Sequence, residues 1–171
     1  MEAAKLRREC RGLVMGAQGV VARPMHTFFE EGQIKDTKDG QVANAVVLDA
    51  RKKMDGSMVF GVVHPTEGWA ELWTRAGPGG HGLWATRFAE GGAAGDVLGL
   101  VGELDRHGYT ACFEWVGRQA KIKERHEEIE LILIQVRHRI SGQYMGWEQM
   151  RGWAEQYGVH TAYISRNTKQ F

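Results

Sequence analysis

At 171 residues, with 43% hydrophobic and 25% charged side chains, the chain has the make-up of one soluble globular domain with room for a real core. Its 22 Lys and Arg against 21 Asp and Glu leave a formal charge of +1, so net charge argues neither for nor against a nucleic-acid partner, and only local patches could carry one. Two cysteines, Cys10 and Cys112, are too few for a disulfide framework or a zinc site, the seven histidines show no H-x-x-x-H pairing, and no apolar run reaches the length of a membrane span.

Both cysteines lie beside apolar residues and are expected to be buried free thiols. Residues 1–9 read as a short helix without a signal-peptide core. Residues 13–15 and 20–23 are short β-type runs around Gly16-Ala17-Gln18-Gly19, a hairpin signal. Arg23-Pro24-Met25-His26-Thr27-Phe28-Phe29 follows, and residues 30–41 read as a polar surface loop. Strands are predicted over 46–53 and 57–63, on either side of Lys53-Met54-Asp55-Gly56-Ser57. A turn at 64–68, a strand over 69–75 and a loop over 77–82 come next. Residues 83–107 hold two helical stretches broken near Gly91-Gly92. In the second, Val97, Leu100, Val101 and Leu104 recur at i, i+3, i+4 and i+7, and Gly108 supplies a C-cap. Strands over 109–116 and 129–136, a turn at 141–143, a helix from Trp147 to Tyr157 and a last strand over 159–165 complete the chain. Helices inserted between hairpins give an α+β class.

The stretch Lys53-Met54-Asp55-Gly56-Ser57 reads K-x-D-G-S. A lysine leaving a strand into an Asp-Gly turn is placed to act, because the turn lets another group approach the backbone closely. The chemistry it suggests is attack by the amine on the α-phosphate of a nucleotide, which needs neighbouring cations or partial burial to favour the neutral amine. Arg51 and Lys52 are the sequence neighbours, in directions the sequence leaves open. A strand ending in an Asp-Gly hairpin turn fits the same letters. Glu114 between Phe113 and Trp115 is unusual for a plain core strand, because a buried carboxylate needs a partner. Phe28-Phe29 fits core packing, and Arg11 a surface cation. The loop over 77–82 lacks G-K-S/T and is no Walker loop. Basic clusters at Arg7-Arg8-Arg11, at Arg118, Lys121, Lys123 and Arg125, and at Arg137-His138-Arg139 are candidates for RNA phosphates, the third also for a solvated turn.

Five stretches stand in one order: ECRGLVM, VVARPMHTFF, KKMDGSM, FEWV and LILIQVRHRISGQYM. Together they resemble the RNA ligases of the T-even phage RNA ligase 1 type, within the covalent nucleotidyltransferases, over nearly the whole chain. The resemblance implies an α+β nucleotidyltransferase domain (an ATP-grasp-like ligase adenylation domain) of antiparallel sheets with flanking helices. Residues 1–171 would form a single such domain, incomplete at its C-terminus. It implies Lys53 as the nucleophile that becomes lysyl-AMP, with Arg11, Phe29, Gly56, Arg75 and Glu114 at the nucleotide, Glu114 on the ribose. The metal ligands are unassigned, and Asp55 is expected to shape the turn.

Several departures matter. Thr27 stands where the family has a lysine, and Arg75 replaces a family lysine without being followed directly by glycine. The family's later E-G and K-x-K motifs have no counterpart before Phe171. The resemblance nonetheless implies ATP-dependent joining of RNA 5′-phosphate and 3′-hydroxyl ends with ATP and Mg²⁺, as in repair of cleaved tRNA. It implies a cytoplasmic setting (the host's, if phage-encoded), no membrane, and a polynucleotide kinase/phosphatase or the missing C-terminal ligase half as partners. The alternatives are a decayed or split-enzyme fragment that binds nucleotide or RNA ends without sealing, and a protein that transfers AMP to something other than RNA.

Overall fold

The computed structural model describes residues 2–38, 51–117 and 129–162. Helix α1 (Glu2–Glu9) leads into an antiparallel hairpin of β1 (Val14–Gly16) and β2 (Gly19–Ala22). Strands β3 (Ser57–Val63), β4 (Ala70–Trp73), β5 (Tyr109–Val116), β6 (Glu130–His138) and β7 (His160–Thr161) form one sheet in the order β4-β3-β5-β6-β7. Helices α2 (His81–Glu90) and α3 (Val97–Arg106) lie between β4 and β5, and α4 (Trp147–Gln156) between β6 and β7.

Alternation in β3 sets the two faces of the sheet. Val59 joins the larger core with Leu100, Val101 and Leu104 of α3, while Phe60 and Val62 join a second core with Ala22 and Cys112. Helices therefore cover one face and the β1–β2 hairpin covers part of the other. Gly61 on the helical face is required by packing: a Cβ there would sit 2.5 Å from a Val101 methyl. The predicted stripe of α3 is all buried, and the helix starts where Asp96 accepts the Gly99 N–H at 2.9 Å. Both faces of β6 are covered, which explains its near-continuous apolar run.

The sheet is mixed rather than purely antiparallel, because β7 runs parallel to β6. The cause is α4, which carries the chain back to the same end of the sheet as a crossover. Of the predicted strand over 159–165 only β7 is formed among the described residues, and residues 163–165 lie outside them. In the predicted strand over 46–53, residues 46–50 lie outside the described residues and 52–55 carry no regular structure. Asp55-Gly56 closes no hairpin between described strands; the chain passes from it directly into β3. The strand predicted over 69–75 is shorter, leaving Arg75 in a turn. Cys112 is buried as expected but Cys10 is exposed, at the first turn beyond α1.

One ion cluster pins the N-terminal arm to the sheet. Glu9 Oε2 accepts from Arg23 Nη2 at 2.7 Å and from Arg137 Nη2 at 2.8 Å. Arg137, on β6, is 3% exposed and also donates to the carbonyls of Pro24 and Gly142 at 3.0 and 2.9 Å. Arg139 donates to Asp105 Oδ1 at 2.5 Å and to the Val21 carbonyl at 3.1 Å. The Arg137-His138-Arg139 cluster is thus neither a phosphate track nor a solvated turn, since both guanidiniums are spent on internal acceptors. The basic stretch of Arg118, Lys121, Lys123 and Arg125 lies outside the described residues. No helix among the described residues is long and apolar enough to cross a membrane.

Candidate active site

The K-x-D-G-S stretch meets the sheet where β3 begins and β5 ends. Ser57 pairs with Trp115 and Met58 with Glu114. Glu114 and Met58 therefore share the face opposite the helices, while Ser57 looks toward α2. Gly56 sits against β5 so closely that a Cβ would lie 2.3 Å from the Trp115 carbonyl oxygen and 2.9 Å from a Val116 methyl. Its N–H donates to Glu114 Oε1 at 3.0 Å. The motif's glycine is required for this contact, and the contact fixes the carboxylate. Gly56→Ala has to push backbone apart rather than bend a side chain. We expect a loss of about 2–3 kcal/mol in urea unfolding, at the upper end for overpacking.

Two adjoining clefts open around this point. The smaller, about 490 Å³, is lined by Lys53, Glu114 and Arg11 and by the apolar Met25, Phe28 and Ile134. The larger, about 740 Å³, is lined by Arg11, Arg75, Ser57, Thr74 and His81. Arg11, Gly56 and Met58 belong to both. Residues dispersed from 11 to 162 in the sequence thus converge on one divided cavity. Five of the six residues singled out from the sequence line it: Lys53 and Glu114 the smaller part, Arg75 the larger, Arg11 and Gly56 both. Phe29 lines neither. The Arg8 guanidinium lies 4.8 Å from its ring centre. Its neighbour Phe28 lines the smaller cleft, 56% exposed, with the Arg11 guanidinium 5.7 Å from its ring, so Phe28 is not core packing.

Arg51, left without a direction by the sequence, donates to the Ile134 carbonyl at 2.8 Å and lies 5.1 Å from the Trp147 ring. It holds the approach to Lys53 against β6 and α4. Lys53 itself is exposed. Burial pushes the Glu114 carboxyl above its ordinary range, against the Gly56 N–H and the Lys53 charge, which pull it down. A raised carboxyl favours the folded state at low pH and loses that stabilisation as pH rises through its folded pKa. Ionisation of Glu114 therefore works against the fold. Glu114→Gln keeps an oxygen for the Gly56 N–H and removes the buried charge. The variant is expected to unfold in urea no earlier than the parent at pH 7, while losing whatever activity depends on the carboxylate.

Ile134, Phe28 and the Ser57–His81 contact were not singled out from the sequence. Ile134 reads as an ordinary strand residue. His81 stands in a glycine-rich stretch that reads as a mobile loop, yet it is the first residue of α2. Among the described residues no group of three or more His, Cys, Asp or Glu side chains comes together as a metal site. The described side chains do not by themselves build a divalent-ion site.

A profile of the RNA ligase family matches residues 9–170. A Thermovibrio ammonificans protein named "Putative RNA ligase" is 29% identical over 147 residues, covering 82% of this chain and 36% of that protein. Among solved structures, an archaeal ATP-dependent RNA ligase superposes with a TM-score of 0.50 at 22% identity, over 67% of this chain and 30% of its own. A Naegleria gruberi RNA ligase variant with ATP and Mn gives a TM-score of 0.51 at 14% identity, over 67% of this chain and 34% of its own. The structural likenesses establish the fold, that of the nucleotidyltransferase domains of RNA ligases. The chain spans about a third of the length of each of these relatives.

Proposed function

The chain belongs to the RNA ligase family, of the T4 RNA ligase 1 type, and from that premise we propose that its cleft carries out ATP-dependent adenylate transfer in RNA strand joining, with Lys53 as nucleophile. The neutral Lys53 amine, its extra proton released to solvent, attacks the α-phosphorus of ATP. A P–N bond forms, the bond to the bridging oxygen breaks, and pyrophosphate leaves. AMP then passes to an oxygen of an RNA 5′-phosphate, which breaks the P–N bond and frees the amine. Attack by a 3′-hydroxyl on that RNA phosphate forms the phosphodiester and expels AMP.

The observation that carries this reading is the convergence of Lys53, Glu114, Gly56 and Arg11 on one cleft that the apolar Met25, Phe28 and Ile134 also line. A nucleoside needs that combination: an apolar wall for the base, an acceptor for ribose hydroxyls and a nucleophile at the phosphate end. Glu114, already oriented by the Gly56 N–H, supplies the acceptor. Gly56, seated against β5, puts no side chain into the cleft it lines, and Arg11 and Arg75 offer the charge that phosphoryl transfer requires. Mg²⁺ is the divalent ion we assign to ATP, and cleaved tRNA the class of substrate. An enzyme that leaves 5′-phosphate and 3′-hydroxyl ends, such as a polynucleotide kinase/phosphatase, belongs upstream.

Thr27 favours a second reading. It stands where the family's lysine is expected, and its N–H is bonded to the Arg8 carbonyl at 3.0 Å. With that cation absent, a protein that binds nucleotide or RNA ends without sealing, or one half of a split ligase, is the alternative. The test is incubation with Mg²⁺ and ATP labelled on the α-phosphate, then peptide mapping and addition of a 5′-phosphorylated RNA. Acid-labile label on the Lys53 peptide that moves to RNA is expected. No label, alone or with the family's C-terminal segment supplied in trans, would leave only the binding alternative.

A further inference from the structure

We propose that His81 and Ser57, together with Arg11 and Arg75, form a phosphate subsite on the far side of Gly56 from Lys53. The proposal rests on the nucleotide-transfer reading and adds a residue, His81, that neither the sequence motifs nor the resemblance assigned. Its ligand chemistry is a phosphate group beyond the one attacked. Two sources offer it: the β- and γ-phosphates of ATP, or the terminal phosphate of an RNA end.

The two clefts differ in chemistry although they share Arg11 and Gly56. The smaller has a carboxylate, Glu114, and the apolar Met25, Phe28 and Ile134, which suit a nucleoside, with Arg11, Arg51, Lys52 and Lys53 beside them. The larger has Arg11 and Arg75 and no carboxylate among its lining residues. Gly79 and Gly80 line it without side chains to fill it. Thr74 is not available there, because its hydroxyl donates to the Gly77 carbonyl at 3.2 Å and accepts from the Ala76 N–H at 3.2 Å.

Ser57 Oγ and His81 Nδ1 lie 2.8 Å apart. The pair keeps a donor in every protonation state. If Nδ1 accepts the Ser57 proton, the imidazole carries N–H at Nε2. If Nδ1 donates, the Ser57 hydroxyl retains its proton for another acceptor. If the ring is protonated, both are true and a positive charge is added. Two guanidiniums and a donor pair around a cavity without carboxylates are the requirements of a phosphate. The bond also ties the first residue of α2 to the serine of K-x-D-G-S. A ligand there is therefore held against the strand that positions Gly56.

Isothermal titration of the full chain with inorganic tripolyphosphate tests the subsite without requiring catalysis. Parallel titrations use an RNA oligonucleotide with a 5′-phosphate and the same oligonucleotide with a 5′-hydroxyl. His81→Phe keeps a ring of similar size and removes both nitrogens. It is expected to weaken binding of the phosphate-bearing probe about tenfold or more, the range for a hydrogen bond to a charged group. Arg75→Gln, at an exposed turn position, guards against a folding artefact and is expected to weaken the same probe. Loss confined to tripolyphosphate assigns the site to ATP; loss confined to the 5′-phosphorylated RNA assigns it to the RNA end. Unchanged binding in His81→Phe, or no binding of either probe by the wild-type chain, overturns the proposal. The titration reads binding and not label, so a chain that never becomes labelled still reports on this subsite.

Discussion

Replacing Lys53 by alanine is expected to reduce covalent AMP labelling to background while leaving the fold intact. The amine is the atom that forms the bond, so no neighbouring group substitutes for it. Lys53 is exposed and lies in a segment without regular structure, so truncation removes little packing. The midpoint of urea unfolding should stay within about 0.5 kcal/mol of the parent, as for surface substitutions generally. Lys53→Arg sharpens the result. It keeps positive charge beside Glu114, whose ionised form the Lys53 charge favours, but a guanidinium is never neutral at working pH. The arginine variant should bind ATP and take no label. Label in either variant would move the nucleophile elsewhere and remove the central residue of the proposed mechanism.

Glu9→Gln should cause a large loss of stability, although it exchanges one polar side chain for another of nearly the same shape. One carboxylate serves two guanidiniums, and that of Arg137 is 3% exposed. Removing the charge strands Arg137 in the interior, the situation in which a broken ion pair costs about 3–5 kcal/mol. Glu9 itself is 31% exposed, which places the expectation near the lower end, about 3 kcal/mol by urea unfolding. The pH dependence has a definite sign. Burial would raise the Glu9 carboxyl, but the Arg23 hydrogen bond and the Arg137 charge prevail and hold it below its ordinary 4.5. Its contribution is therefore complete above that value and is lost as pH falls below it through the folded pKa. The difference between parent and Glu9→Gln should shrink steadily below pH 4.5. A difference independent of pH would mean that Glu9 acts through shape rather than charge.

Local pattern made most elements legible, and contacts at long sequence separation did not. The strand over Tyr109–Val116 is a largely apolar run between Gly108 and Gly117, so its limits agree with the sequence reading residue for residue. The same holds for the stripe of α3. The direction of β7 is not a local property, because it depends on the crossover through α4. At the cleft, Lys53, Gly56, Arg11, Arg75 and Glu114 were singled out through the family resemblance, and all five line it. Phe28 was not, because two adjacent phenylalanines do not reveal which ring turns toward the cavity. Glu9 reads as an ordinary end-of-helix carboxylate and Arg137 as one cation among three. Their pairing across most of the chain exists only in the fold, as does that of Ser57 with His81.

The Glu9–Arg137 contact also orders events during synthesis. Arg11 is two residues beyond Glu9, and Glu9, which also pairs with nearby Arg23, gains its bond to β6 only when Arg137 exists. A nascent chain that has produced the hairpin, β3 and β5 still lacks the residue that fastens its own N-terminal arm. Domains form as units while the polypeptide emerges, and this one cannot finish before β6 has left the ribosome. Arg11, made among the first residues, therefore stands next to a carboxylate whose partner on β6 is made 128 residues later.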